Sequence, residues 1–194
     1  MKITYHGHAC FTVESGGYSI VLDPYKGVRG YSDIDLTANE VLCSHGHFDH
    51  AYTDGVKVLD GPKSPFEIKK IDCFHDDQQG AKRGTNIIHI LSAEGKRVAH
   101  FGDLGHMLSK EQAEELKDLD CAMIPVCGFF TIDAPAAVEI LRQIEPKKII
   151  PMHYKDGDKG LEMVGTVEQF IDLLTEDEKK KLLLVKGYEE TVEV

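Results

Sequence analysis

Tryptophan is absent from this chain of 194 residues, and no apolar run approaches the roughly 18 residues of a membrane-spanning helix. The opening stretch, MKITYHGHACFTVESGG, carries one lysine and no uninterrupted apolar segment. Neither a membrane span nor a secretion signal is expected from it, and the chain is expected in the cytoplasm. Cysteine is sparse: Cys10, Cys43, Cys73, Cys121 and Cys127 are scattered, odd in number and without a CxxC pair. That pattern argues against a disulfide framework and against a thiolate zinc knot. Positive charge is in deficit, with 22 Lys and Arg against 33 Asp and Glu and a formal net charge of −11 at pH 7. Nucleic acid and anionic membranes reward a basic footprint, so neither is expected as a partner. A small-molecule substrate is expected instead, and homo-oligomerisation is left open.

What the chain has is a core and histidine. Hydrophobic residues make up 42% of it, and residues 1–194 read as one domain with no linker, internal repeat or low-complexity segment. The first half is mostly β. Strands are expected at 2–5, 10–14, 18–22, 40–43, 56–59, 66–68, 71–74, 85–91 and 97–101. Turns are expected at 15–17 and 92–95, and a polar, Gly-containing loop at 27–37. The second half alternates helix and strand. Ser109 and Gln112 form a capping box for a helix to about 116, Asp133 caps a second helix ended by Pro146, and Thr166 with Gln169 caps a third. Strands are expected at 122–126, 148–150 and 182–185, and the charged run 176–181 reads as a solvated face. Mixed sheets with helices outside are the simplest arrangement, an α/β class.

Histidine numbers 10, and three of them fall in Ser44-His45-Gly46-His47-Phe48-Asp49-His50. In a Gly-containing loop after a strand, His45 and His47 can turn toward one point and Asp49 and His50 toward a neighbouring one. Imidazole nitrogens suit Zn, Fe, Ni or Mn, and a carboxylate adds charge compensation. The alternative is an exposed His-rich turn, and spacing alone leaves a single ion with one further ligand equally open.

The HxHxDH pattern resembles the signature of the metallo-β-lactamase superfamily, which implies a four-layer αβ/βα sandwich. Asp23 in Leu-Asp-Pro, His75 in Phe-His-Asp, Asp103 in Phe-Gly-Asp-Leu-Gly-His and His153 in Pro-Met-His-Tyr resemble further positions of that family. Gly7-His8-Ala9 and Phe130-Thr131-Ile132-Asp133 narrow the likeness to small metal-dependent hydrolases related to L-ascorbate-6-phosphate lactonase. The resemblance implies two divalent ions, zinc first with Mn, Ni or Fe as alternatives. One would lie on His45, His47 and His75, the other on Asp49, His50 and His153, with Asp103 bridging and Asp23 orienting a ligand histidine. His8 and His106 either line the site or satisfy local hydrogen bonds, and Thr131, Arg83 or Lys155 are candidates for an anionic substrate group. His6, His89 and His100 alternate with apolar neighbours and read as structural.

Hydrolysis of an ester, lactone or phosphodiester-type bond is the expected chemistry, with a hydroxide shared by the two ions as nucleophile and Asp49 and Asp103 as the catalytic carboxylates. An iron oxygenase or redox protein on the same ligands, and a non-catalytic metal-binding protein, are the alternatives. A β-lactamase is disfavoured because a carboxylate stands at Asp103, where those enzymes often have Cys.

Overall fold

Alternation along the first strands decides how the N-terminal half folds. The computed structural model describes residues 1–185 and 190–194. Strands β1 (Lys2–Gly7), β2 (Cys10–Ser15) and β3 (Tyr18–Leu22) form an antiparallel meander. Phe11, Val13, Ile20 and Leu22 point into the main core. Cys10 and Val21 point the other way, into a second cluster with Tyr25, Val28, Ile34, Ala38 and Val56. Side chains of a strand face opposite sides in turn, so one sheet serves both cores. The β2–β3 link is a two-residue turn with φ of 56° at Gly16 and 77° at Gly17. Positive φ at both positions is what such a hairpin requires, and glycine supplies it without a Cβ clash.

Three short strands follow: β4 (Leu36–Ala38), β5 (Glu40–Leu42) and, after a 3-10 turn at Thr53–Gly55, β6 (Val56–Val58). A second sheet is built from β7 (Glu67–Phe74), β8 (Thr85–Ala93), β9 (Lys96–His100), β10 (Cys121–Pro125) and β11 (Lys148–Met152), and β12 (Glu190–Glu193) returns to the first. The sheet orders are β12-β1-β2-β3-β5 and β11-β10-β9-β8-β7, with β4 and β6 paired apart as a parallel ribbon. Both five-stranded sheets contribute to one core, where Phe11, Ile20, Ile88, Ile90 and Phe101 are almost wholly buried.

Strand β10 is buried at all five positions because parallel neighbours flank it and its faces are covered. The covering helices are α1 (Lys110–Glu115), α2 (Ala134–Ile144) and α3 (Glu168–Ile171), while α4 (Glu176–Lys179) lies exposed. Ala137, Val138, Ile140, Leu141 and Ile144 form the buried stripe of α2. Its start is set by the Asp133 side chain accepting from Ala136 N at 3.0 Å, and its end by Glu145 in the left-handed region at φ 48°. The expected box at Ser109 and Gln112 is present in both directions. No helix among the described residues is long and apolar enough to cross a membrane.

Four expectations need correction. The two strands at 66–68 and 71–74 are one, β7, because Lys69 and Lys70 lie at an exposed part of a sheet edge where charge is tolerated. The loop 27–37 ends in strand β4. Thr166 gives its carbonyl, not its side chain, to Gln169 N, so α3 starts without the expected side-chain cap. Residues 182–185 make only a bridge from Leu182 to Ile149 instead of a strand. The last strand is β12, paired antiparallel with β1.

Candidate metal centre

Strands β1, β3 and β5 run in one direction in the first sheet, as do β7, β9 and β11 in the second, and every candidate ligand follows the C-terminal end of one of them. His8 follows β1, Asp23 follows β3, and the 45–50 loop follows β5. From the other sheet come His75 after β7, Asp103 after β9 and His153 after β11. Carboxyl ends of strands are where α/β sheets present their loops, so the two sheets meet in a single cluster there. His8, Asp23 and His153 have φ of 55°, 47° and 57°. A non-glycine residue in that region costs about 1–2 kcal/mol. Three such residues in the cluster mean that the fold pins these side chains against local preference.

The Asp103 carboxylate is the centre of the arrangement. Its Oδ2 lies 3.2 Å from Nε2 of His50, 3.2 Å from Nε2 of His75, 3.3 Å from Nε2 of His153 and 4.0 Å from Nε2 of His45. The rings of His45, His47 and His75 lie 4.6–5.1 Å apart between centroids. Ligand atoms of that trio lie within 4.8 Å of one another, as do those of His8, Asp49, His50 and His153. All seven residues expected to hold metal are thus brought together, and His8 joins the second group.

Neighbouring hydrogen bonds leave the inward nitrogens bare. Asp23 accepts from Ser44 N at 2.6 Å, from Ser44 Oγ at 2.6 Å and from His50 Nδ1 at 2.7 Å. Because the single Ser44 hydroxyl hydrogen goes to Asp23, Ser44 Oγ is left to accept from His45 Nδ1 at 2.9 Å. Both histidines then carry their proton outward. Nε2 of His45, His50 and His153 and Oδ1 of Asp103 are buried without a hydrogen-bond partner. Buried polar atoms are otherwise nearly always satisfied, so a converging set of bare imidazole nitrogens and a carboxylate fits divalent cations.

The electrostatics have the same sense. Burial opposes ionisation of Asp103, but His153 and His50 beside it hold it well below the usual carboxylate range. Burial likewise disfavours charge on Asp23, yet His100, His50 and Ser44 outweigh it and bring the carboxyl to about 2. His50 lies between the two: burial pushes it down, while Asp103 and Asp23 raise it well above 6.5. Burial lowers His45 to about 3 and His8 to about 4. Without an ion, the two carboxylates beside it favour the charged form of His50.

Above the cluster opens a cavity of about 610 Å3 lined by His47, Asp49, His75, Asp103, Phe48, Phe130, Leu161, Lys82 and Arg83. That volume suits a small molecule. Thr131 and His106 do not line it. Thr131 Oγ1 donates to Ile132 O at 3.1 Å, and Thr131 and His106 line an adjoining cavity that shares Lys82, Arg83 and Phe130 with the first. His106 Nε2 accepts from Phe74 N at 3.1 Å and its Nδ1 meets Met107 O at 2.7 Å, so it secures the backbone beside His75. Lys155 is also absent from the cavity wall.

Residues without metal-type chemistry hold the Asp103 turn. Asn86, fully buried, accepts from Asp103 N at 2.9 Å through Oδ1 and donates to Phe101 O at 2.9 Å through Nδ2. His100 accepts from Gly102 N at 3.2 Å and its Nε2 meets Ala9 O at 2.8 Å, consistent with a structural histidine. Gly102 has φ of 52°, and a Cβ there would run into Asn86 and Ser44. Nothing in the sequence marks Asn86, because its role exists only once β8 and β9 are paired.

A metal-type donor set at the strand ends of two facing sheets defines the class. The model of the beta-lactamase superfamily domain matches residues 2–153, and the chain belongs to that family. A UPF0173 metal-dependent hydrolase of Thermoplasma volcanium is 26% identical over 191 residues, covering 81% of this chain and 85% of the relative. A crystal structure from Thermotoga maritima, assigned to the Zn-dependent hydrolases of the metallo-β-lactamase superfamily, is 36% identical with a TM-score of 0.71. It covers 89% of this chain, which covers 85% of it. A Parabacteroides distasonis structure assigned as a metal-dependent hydrolase shares the fold at a TM-score of 0.72 and 22% identity, with 95% and 92% of the two chains covered.

Proposed function

We infer that this chain is a metal-dependent hydrolase that works through two divalent ions and cleaves an ester, lactone or phosphodiester-type bond of a small molecule. The observation that carries the reading is the approach of His50, His75 and His153 Nε2 to within 3.2–3.3 Å of Asp103 Oδ2, with further donors on either side. His45, His47 and His75 would hold one ion, Asp49, His50 and His153 the other, and Asp103, whose Oδ2 lies near histidines of both groups, would be shared. When bound, the ions supply Lewis acidity toward the substrate's oxygen and lower the pKa of a water toward about 7. Zinc suits this mostly imidazole set, and Mn, Ni and Fe are compatible with it.

The chain's own groups do the rest. Asp49 lines the cavity, and its Oδ2 lies 3.2 Å from His8 Nε2, so its carboxylate is held facing substrate. Burial disfavours its charge, but His8 and His50 hold it below the usual range, so it stays ionised at neutral pH and accepts hydrogen bonds. Its carboxylate oxygen would accept a hydrogen bond from the attacking water and orient it. Asp103 fixes the spacing of the two donor groups, and the buried floor of the cavity limits bulk water. Metal analysis of tag-free wild type, His47→Ala and Asp103→Ala tests the reading, alongside turnover of lactones, phosphodiesters, thioesters and phosphorylated sugars with Zn, Mn, Ni and Fe. About two ions per chain and chelator-sensitive turnover are expected in wild type, with turnover down roughly 100-fold or more in both variants. Wild-type metal content retained in both variants contradicts it.

A further inference from the structure

We propose that this cavity takes a substrate carrying an oxyanion on an apolar body, and that Arg83 is the residue that recognises the anion. The proposal rests on the hydrolytic reading above and names the class of molecule it acts on.

The first support is how Arg83 is held. Its Nη2 donates to Phe129 O at 3.0 Å, and its guanidinium lies 5.7 Å from the centroid of the Phe130 ring. Both partners are neutral. Among the described residues no carboxylate pairs with Arg83, although the chain has 33 acidic residues. Lys82, its neighbour on the same wall, is different: Nζ lies 3.0 Å from Asp77 Oδ1, and its charge is compensated. Arg83 lines both this cavity and the adjoining one that contains Phe129, so its uncompensated charge stands at the edge of a cavity whose other contributors include Phe48, Phe130 and Leu161. A cation partly removed from water and lacking a counter-charge favours an anionic ligand, and the guanidinium fork matches a carboxylate or phosphate.

The second support is the loop that delivers it. Asp76 follows the candidate ligand His75, and its carboxylate accepts four backbone N–H groups: Gln78 at 2.8 Å, Gly80 at 2.9 Å, Lys82 at 2.9 Å and Arg83 at 2.7 Å. The same loop is tied to the cluster by His75 N donating to Gly84 O at 3.0 Å. The backbone of Arg83 is thus fixed relative to His75 before any ligand arrives, which lowers the ordering cost of binding. Phe130 beside the guanidinium, Phe48 and Leu161 offer apolar surface for the rest of the molecule, while Asp49 and Asp103 mark the reacting end. A net charge of −11 works against anions elsewhere on the molecule, so a local cation in the cavity selects them there.

Isothermal titration calorimetry on the ion-loaded protein reads the proposal, with benzoate and phenyl phosphate as oxyanion probes and benzyl alcohol as the neutral one. Both anions are expected to bind wild type roughly tenfold or more tightly than benzyl alcohol. Arg83→Gln and Arg83→Ala should lose that margin, and Arg83→Lys, which keeps charge without the planar fork, should retain part of it. Either order of the two anions supports the proposal, and the order tells a carboxylate from a phosphate. Equal anion affinity in wild type and Arg83→Gln overturns it, because the anion then sits elsewhere, on the ions included. Anions binding no better than benzyl alcohol also overturn it. Metal content and turnover of the same wild-type sample report on the hydrolytic reading separately, since probe affinity requires no bond cleavage.

Discussion

Asp23 touches no substrate, yet its carboxylate ties Ser44, the outer nitrogen of His50 and, through Ser44, His45 into one orientation. In ion-free protein its folded-state carboxyl lies at about 2 against an ordinary 3.8. A depressed carboxyl stabilises the fold above its unfolded value, and that stabilisation is lost as pH falls from about 4 to about 2. The shift corresponds to about 2 kcal/mol, to order of magnitude. Urea melts of chelated wild type and Asp23→Asn at pH 6 should therefore differ by more than melts at pH 3, with the gap narrowing by about half of that amount, about 1 kcal/mol. A pH-independent gap would remove Asp23 from the linkage. At this scale the sequence was legible where chemistry is local: His45, His47, Asp49 and His50 fall in six residues of chain. Asn86 stayed hidden because an amide has no metal-type signature. His106 and Thr131 sit in suggestive motifs, but their hydrogen bonds are spent on backbone groups away from the main cavity.

Helix α2 shows what the sequence states well about an element. Asp133, the proline in its first turn and an apolar stripe of 3.6 period agree with one another, and the structure follows all three. Asp133→Ala should cost about 1 kcal/mol of unfolding free energy by chemical denaturation, with little change in the denaturant slope. Strand β12 shows the opposite case. Glu190–Glu193 has two apolar-capable positions and becomes a strand only because β1 offers an open edge. Pairing across nearly the whole length of the chain is non-local, and period alone does not encode it. Strand β4 likewise exists through its parallel partner β6, so a polar loop was the natural sequence reading.

For the whole molecule, ions that bind the folded chain and not the unfolded one add stability by mass action. Free metal at about 100 times its dissociation constant adds about 2.7 kcal/mol per ion, and each kcal/mol moves the midpoint of a chain this size by about 2–4 °C. Chelation should accordingly lower the melting temperature by about 5–11 °C for each ion held, and a scan with and without chelator checks it. An unchanged midpoint would mean that no ion is held. The donors come from both sheets: residues up to His50 from one, His75, Asp103 and His153 from the other. Such a centre is a clasp across a seam. A nascent chain that has not yet reached His153 offers only part of the set, and neither leaf alone supplies all of it. On the two-ion reading, full loading is tied to completed folding, and a fully loaded molecule would be one whose two leaves have already met.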